Sequence, residues 1–268
     1  MIAPDPELSN TTPPSGGPLA GISAHSPSDQ ATGGIIGALS HVRARIAEDC
    51  RTAGRDPATV RLVAVSKTFP AAGVREAASA GQRDFGENYL QEALDKQAAL
   101  SDLRADPRVG LRTGLVWHFI GPIQSNKTRQ IASSFDWVHS IDRDKVARRL
   151  SEQREANMPP LQCCIQVNVS GEQSKSGIAP SELPALAAVV AGLPRLALRG
   201  LMAIPEPTAD AALARSRFAQ LRNLMEGLNR DGHKLDTLSM GMTADMDAAI
   251  AEGATMVRVG TAIFGSRT

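Results

Sequence analysis

The sequence predicts one (β/α)8 barrel preceded by an extra helix. Three observations predict it. Eight short apolar, strand-like segments recur between residues 61 and 260. Each is followed by a segment with helical spacing of its apolar residues. The span from 34 to 268 is also the length such a barrel needs. A doubly wound open sheet is the competing architecture, but it seldom uses eight evenly spaced units.

The regular pattern starts at residue 35. "IIGALSHVRARIAEDCRTAG" has apolar residues at helical spacing and stops at Gly54. This extra helix is expected to plug the bottom of the barrel or to pack beside it. The first strand is expected at 61–66 with a helix over 70–80, and the second at 83–87 with a helix over 88–100. The third spans 115–121 with a helix over 125–134, and the fourth 137–141 with a helix over 143–156. The fifth spans 161–169 with a helix over 181–192, and the sixth 196–204 with a helix over 209–229. The seventh is short, 237–240, with a helix over 244–252. The eighth, 256–260, leads into a terminal turn. Strands 1, 5, 6 and 8 carry long apolar runs, as expected of parallel strands covered by helices.

Composition excludes several classes. Of 268 residues 42% are apolar, which is enough for a full core, and the formal net charge is only +1. No electrostatic footprint for nucleic acid or an acidic membrane is present. Aromatic residues make up 3%, which leaves no stacking platform for single strands. No apolar run approaches a membrane span. Cys50, Cys163 and Cys164 form no C-x-x-C pair, and the adjacent two point to opposite faces of a strand. Reduced thiols in a cytoplasmic protein are the expectation, with no metal site. No interface stripe stands out, so a monomer is expected. Residues 1–33 are rich in Pro, Ser, Gly and Thr and contain no Lys or Arg. They read as a disordered tail, neither signal nor transit peptide.

Function in a barrel sits where strands end. "RLVAVSKTFP" (61–70) ends a buried strand on Lys67. Two readings stand. The lysine snorkels or caps the strand where the chain re-emerges, or it is an amine at the rim of an apolar pocket, suited to a Schiff base. The loops after strands 7 and 8 bear on that choice, because barrels often bind phosphate there. "SMGMTADM" gives a hydroxyl at Ser239, an approachable backbone at Gly241, and a helix start. "RVGT" adds Gly260 and Thr261 on the neighbouring strand. The structural alternative is an N-cap at Thr243 and a tight turn at Gly241. A phosphate site near a strand-end lysine suggests pyridoxal 5′-phosphate (PLP).

The motifs "VAVSKTFP", "FGENYLQEALDK", "WHFIGPIQSNKTR", "HSIDRDKVA", "VNVSGEQSKSG", "LRGLMAIP" and "LSMGMTADMDAAIAEGATMVRVGTAIFGSR" resemble the PLP-binding homeostasis proteins of the YggS/PROSC type. The resemblance runs from about residue 35 to the C-terminus. It implies a single barrel of the alanine racemase N-terminal-domain type. It implies Lys67 as the Schiff-base lysine, and Ser239, Gly241, Met242, Gly260 and Thr261 on the phosphate loops. Arg258 matches an arginine facing the pyridine nitrogen. Asn88, His118 and Asn168 lie at neighbouring strand ends and are expected to line the pocket. Their structural alternatives are a helix N-cap for Asn88, a packed core histidine for His118 and a strand-end cap for Asn168. Many family members carry a second lysine where this chain has Phe69. Lys175 is retained, and an exposed loop lysine is its alternative. Lys127 and Arg129 read as a solvated helix face.

Two functions compete: a PLP carrier that holds the cofactor and supplies it to apo enzymes, and a racemase-like PLP enzyme. Racemisation on both faces needs a second acid/base, and the sole tyrosine, Tyr89, sits at a helix start. The resemblance adds that racemases draw that tyrosine from a further domain. Arg258 cannot protonate the pyridine nitrogen, its own pKa exceeding about 12 in the ordinary case. The carrier is the reading adopted. A class I aldolase is a third possibility, but its lysine usually lies near strand 6, which here ends in "LMAIP".

Overall fold

A computed structural model describes residues 33–103, 114–171 and 177–266 of the chain. Residues 1–32 of the expected tail, Lys175 and the last two residues lie outside the described residues. Eight parallel strands close into a barrel in chain order, β1-β2-β3-β4-β5-β6-β7-β8. They are β1 Arg61–Val65, β2 Asp84–Glu87, β3 Val116–Phe119, β4 Trp137–Ile141, β5 Leu161–Gln166, β6 Leu196–Met202, β7 Thr237–Ser239 and β8 Met256–Val259. The helices are α1 Gly34–Thr52, α2 Ala71–Ser79, α3 Leu90–Ala99, α4 Thr128–Ser134, α5 Asp144–Gln153, α6 Leu183–Ala191, α7 Ala211–Arg230, α8 Met246–Ala251 and α9 Thr261–Phe264. The predicted fold class is the observed one.

Strand alternation sorts the apolar side chains into two layers. Val63, Trp137, Cys164, Met202 and Met256 meet inside the barrel. Leu62, Ala64, Phe85, Val138, Cys163, Ile165, Leu238 and Val257 face outward into the helix layer. Cys163 and Cys164 therefore do split between faces, and all three cysteines are free thiols. Burying each large aliphatic side chain of the outer layer contributes about 1.5–3 kcal/mol.

The extra helix packs beside the barrel and does not plug it. Leu39, Val42, Ile46 and Cys50 form its buried stripe, and it lies against α2, α8 and α9. Arg45 Nη1 of this helix donates to the carbonyl of Thr243 at 2.7 Å, which ties it to the loop after β7.

Several elements are shorter than expected, for local reasons. The helix after β3 starts at Thr128 because residues 124–127 form a turn, Lys127 N–H bonding Gln124 O at 2.9 Å. The sixth helix is preceded by a 3-10 turn at Pro180–Glu182. Asp210 caps α7, its carboxylate accepting from Ala212 and Leu213 N–H. At α8 the N-cap position is Asp245, not Thr243. Lys127 and Arg129 are exposed, as read.

Candidate functional site

The C-terminal ends of the strands form an open mouth. Tyr89 and Ile204 stand on it at 54% and 41% exposure. Lys67 is the second residue beyond β1 and is half-buried. Its neighbours are held from behind. The Ser66 hydroxyl donates to Glu87 Oε1 at 2.7 Å, and the Lys96 ammonium donates to Ser66 O at 2.5 Å and to Glu87 Oε1 at 2.7 Å. Lys96 also meets Glu92 at 2.6 Å, and Glu92 accepts the Thr68 N–H at 2.5 Å. Thr68 has φ +68°, the one positive value among described non-glycine residues. Such a conformation costs about 1–3 kcal/mol in a β-branched residue and persists only where surroundings impose it. Burial pushes the Glu87 carboxyl up, and the Lys96 ammonium and Ser66 hydroxyl oppose the shift.

β8 pairs in register with β1, Arg258 opposite Val63. The turn after β8 therefore lies against the strand that carries Lys67. A Cβ on Gly260 would sit 3.1 Å from Val65 O, two residues before Lys67. Gly241, after β7, has φ +91°, and a Cβ there would fall 2.5 Å from the Ala249 methyl. Only glycine fits. Gly241 O accepts the Arg258 N–H at 3.0 Å, which joins the two loops. Asp245 Oδ1 accepts the Met242 N–H at 2.6 Å. Thr261 is exposed and opens α9.

Arg258 is 4% exposed and points inward. It donates to Ser239 Oγ at 2.7 Å and to Ala203 O at 2.9 Å. Burial brings its pKa down to about 10, against the opposing pull of Asp245 and Cys164. It remains a cation at neutral pH. Ser239 is fully buried, its hydroxyl shared between Arg258 and His139.

Asn88 is not the cap of α3; Tyr89 takes that position. The Asn88 Oδ1 is buried with no hydrogen-bond partner among the described residues, at the mouth end of β2. Asn168 Oδ1 accepts the N–H groups of Ser170 and Gly171, which turns the chain after β5. His118 lies inside the barrel with both ring nitrogens engaged, to Asp84 and to His139, and its ring stacks on Trp137. Phe69 packs on Phe264 with ring centroids 5.3 Å apart.

Sequence reasoning passed over His139, Asp84 and the Glu87–Lys96 pair. In "WVHSI" strand alternation puts His139 on the same face as Trp137, a signal that could have found it. Glu87 and Lys96 carried no such signal, because they meet only when α3 folds onto β2. Among the described residues, no group of His, Cys, Asp and Glu could hold a metal ion.

The barrel, with a lysine leaving β1 beside glycine turns on β7 and β8, defines the alanine-racemase class of fold. The family model described as alanine racemase, N-terminal domain, matches residues 38–268. Curated relatives include the pyridoxal phosphate homeostasis protein of Pseudomonas aeruginosa, 65% identical over 85% of this chain and 94% of its own length. The protein of the same name from Escherichia coli is 52% identical over 85% of this chain and 95% of its own. PipY of Synechococcus elongatus, solved with PLP bound, is 38% identical with a TM-score of 0.73 over 86% of this chain and 100% of its own. An alanine racemase from Corynebacterium glutamicum, 19% identical with a TM-score of 0.56 over 84% of this chain and 60% of its own, shares the fold. The chain belongs to the pyridoxal phosphate homeostasis protein family.

Proposed function

We propose that this protein binds PLP and serves in its homeostasis, holding the cofactor on Lys67 and supplying it to, or buffering it for, apo PLP-dependent enzymes. The observation that supports this reading is the packing of Gly260 against Val65, two residues before Lys67, so that the β8 turn lies beside the strand that leads into this lysine. The PLP-bound relative supports it.

The residues present fit the group. When bound, PLP supplies an aldehyde, and the Lys67 amine takes it up as a Schiff base. Arg258, a cation that only donates, would lie toward the ring nitrogen and could not share a proton with it as a carboxylate would. The Asn88 Oδ1, which has no partner among the described residues, and the Asn168 side chain would line the ring. Gly241, Gly260 and Thr261 would take the phosphate with backbone and hydroxyl donors, and Met242, whose N–H is held by Asp245, would shape that loop. Ser239 acts through Arg258, to which its hydroxyl is committed, and His118 acts from inside the barrel.

No helix among the described residues is long and apolar enough to cross a membrane. A cytoplasmic monomer is the form proposed.

The test is borohydride reduction of the PLP-loaded protein followed by peptide mapping. The label is expected on Lys67, and Lys67→Ala should lose it. A variant that still traps PLP at full occupancy would move the anchor elsewhere, with Lys175 the first candidate.

A further inference from the structure

Five strands each contribute one residue to an unbroken hydrogen-bond chain through the barrel interior. Asp84 Oδ1 lies 2.9 Å from His118 Nε2, and His118 Nδ1 lies 2.9 Å from His139 Nε2. His139 Nδ1 lies 2.8 Å from Ser239 Oγ, which accepts from Arg258 Nη1 at 2.7 Å. One end, Asp84, borders a cavity of about 300 Å³ at the N-terminal face, lined also by Arg43, Arg61 and Arg83. The other end is the arginine of the ligand-binding face.

The donors can be assigned by elimination. Arg258 only donates, so Ser239 Oγ accepts from it. The Asp84 carboxylate only accepts, so His118 carries a proton on Nε2. With His118 neutral, its Nδ1 accepts, and His139 must donate from Nε2. Burial, with His118 and Arg258 nearby, keeps His139 neutral by holding its pKa well below the ordinary histidine value. Its Nδ1 then accepts, and the Ser239 hydroxyl donates to it. Every bond runs the same way, from Arg258 to Asp84, and such aligned chains strengthen each member. If His118 took a second proton, on Nδ1, His139 would turn to the Nδ1–H form. Ser239 Oγ would then face two donors, and its own proton would lose its acceptor. The charged and titratable groups facing the chain are Asp84, Arg61 at 3.5 Å from Asp84, Arg258, and Asp245 and Cys164 acting on Arg258.

We infer that Asp84, His118 and His139 are positioning residues for Arg258: the carboxylate at the far face fixes the tautomer of both imidazoles, and through them the donor direction at Ser239. The link to PLP rests on the functional reading above; the tautomers do not.

The experiment is ¹⁵N NMR of the histidines in the ligand-free protein at about pH 9, well above the ordinary histidine range. Both buried imidazoles are expected as neutral Nε2–H tautomers. An Nδ1–H form at His139 in the wild-type protein would overturn the inference without any variant. Asp84→Leu removes the acceptor and should leave His118 and His139 as tautomer mixtures, with PLP affinity reduced about three- to tenfold, the range of one net hydrogen bond. Asp84→Glu keeps a carboxylate and should restore the wild-type tautomers. A single unchanged Nε2–H tautomer at His139 in a folded Asp84→Leu protein sinks the inference. Wild-type protein that fails to bind PLP while showing the expected tautomers would instead sink the functional reading alone.

Discussion

Lys96 donates to the carbonyl oxygen of Ser66 at 2.5 Å, from a side chain only 5% exposed. The ammonium spends its other contacts on Glu87 and Glu92, so the segment around Lys67 is held by one buried cation. Removing one partner of a buried pair strands the other, at a cost of about 3–5 kcal/mol. Lys96→Met should therefore lose about that much stability in urea unfolding. It should also reduce PLP occupancy, because Ser66 and Thr68 flank Lys67, the lysine proposed to hold the cofactor. A loss under about 1 kcal/mol would mean that the pair is solvated and not structural.

Asn88 separates stability from binding. An unpaired buried carbonyl costs about 1–3 kcal/mol, and its Oδ1 has no partner among the described residues. Asn88→Ala should leave the ligand-free melting temperature unchanged or higher while weakening PLP binding. A lower melting temperature with unchanged affinity contradicts the role assigned.

Gly241 tolerates no side chain. Its φ of +91° and the 2.5 Å approach of a Cβ to the Ala249 methyl predict that Gly241→Ala displaces the loop. PLP affinity should fall more than affinity for pyridoxal, which lacks the phosphate. Equal losses for the two ligands would place the phosphate elsewhere.

His139 predicts a pH dependence of stability. Its folded-state pKa lies well below the ordinary 6.5, chiefly through burial. As pH falls through 6.5 the unfolded chain gains a proton there that the folded protein does not. Its contribution is thus present above that pH and is lost as pH falls toward the folded pKa, with a limiting slope of about 1.4 kcal/mol per pH unit. In the wild type, chemical unfolding should show about 1.4 kcal/mol less stability from this group at about pH 5.5 than at about pH 7.5, an average slope about half the limiting one. His139→Asn should flatten it, and an equal slope in both proteins would assign the dependence to other groups.

Catalysis should be weak. Tyr89, the chain's sole tyrosine, stands 54% exposed at the start of α3. One general acid–base group typically contributes 10²–10⁴-fold. The PLP-loaded protein should therefore racemise L-alanine within about tenfold of free PLP with a simple amine, followed by chiral analysis and deuterium incorporation at Cα. Turnover on the order of 1 s⁻¹, the lower end of ordinary enzymes, would establish the racemase reading instead.

Local pattern carried much of the architecture. The eight strands lie within the predicted segments because period-2 burial and helical spacing are properties of neighbouring residues. The strand-end position of Lys67 and the split of Cys163 from Cys164 followed from the same rule. The sequence alone thus determined the strand–helix alternation, the barrel class and the position of Lys67 just beyond β1, whereas His118, expected at the mouth, lies inside the barrel. The tertiary structure decided which of those residues meet. His139 and Ser239 are 100 positions apart, and Asp84 and His118 are 34 apart. Asp84 and His118 meet because β2 pairs with β3, and His139 and Ser239 because barrel closure turns the inward side chains of β4 and β7 onto one another. The side of the barrel that α1 covers was open for the same reason. An amphipathic stripe such as Leu39, Val42, Ile46 and Cys50 states that a face is buried, while its partner, here α2, α8 and α9, is chosen by where the rest of the chain has folded.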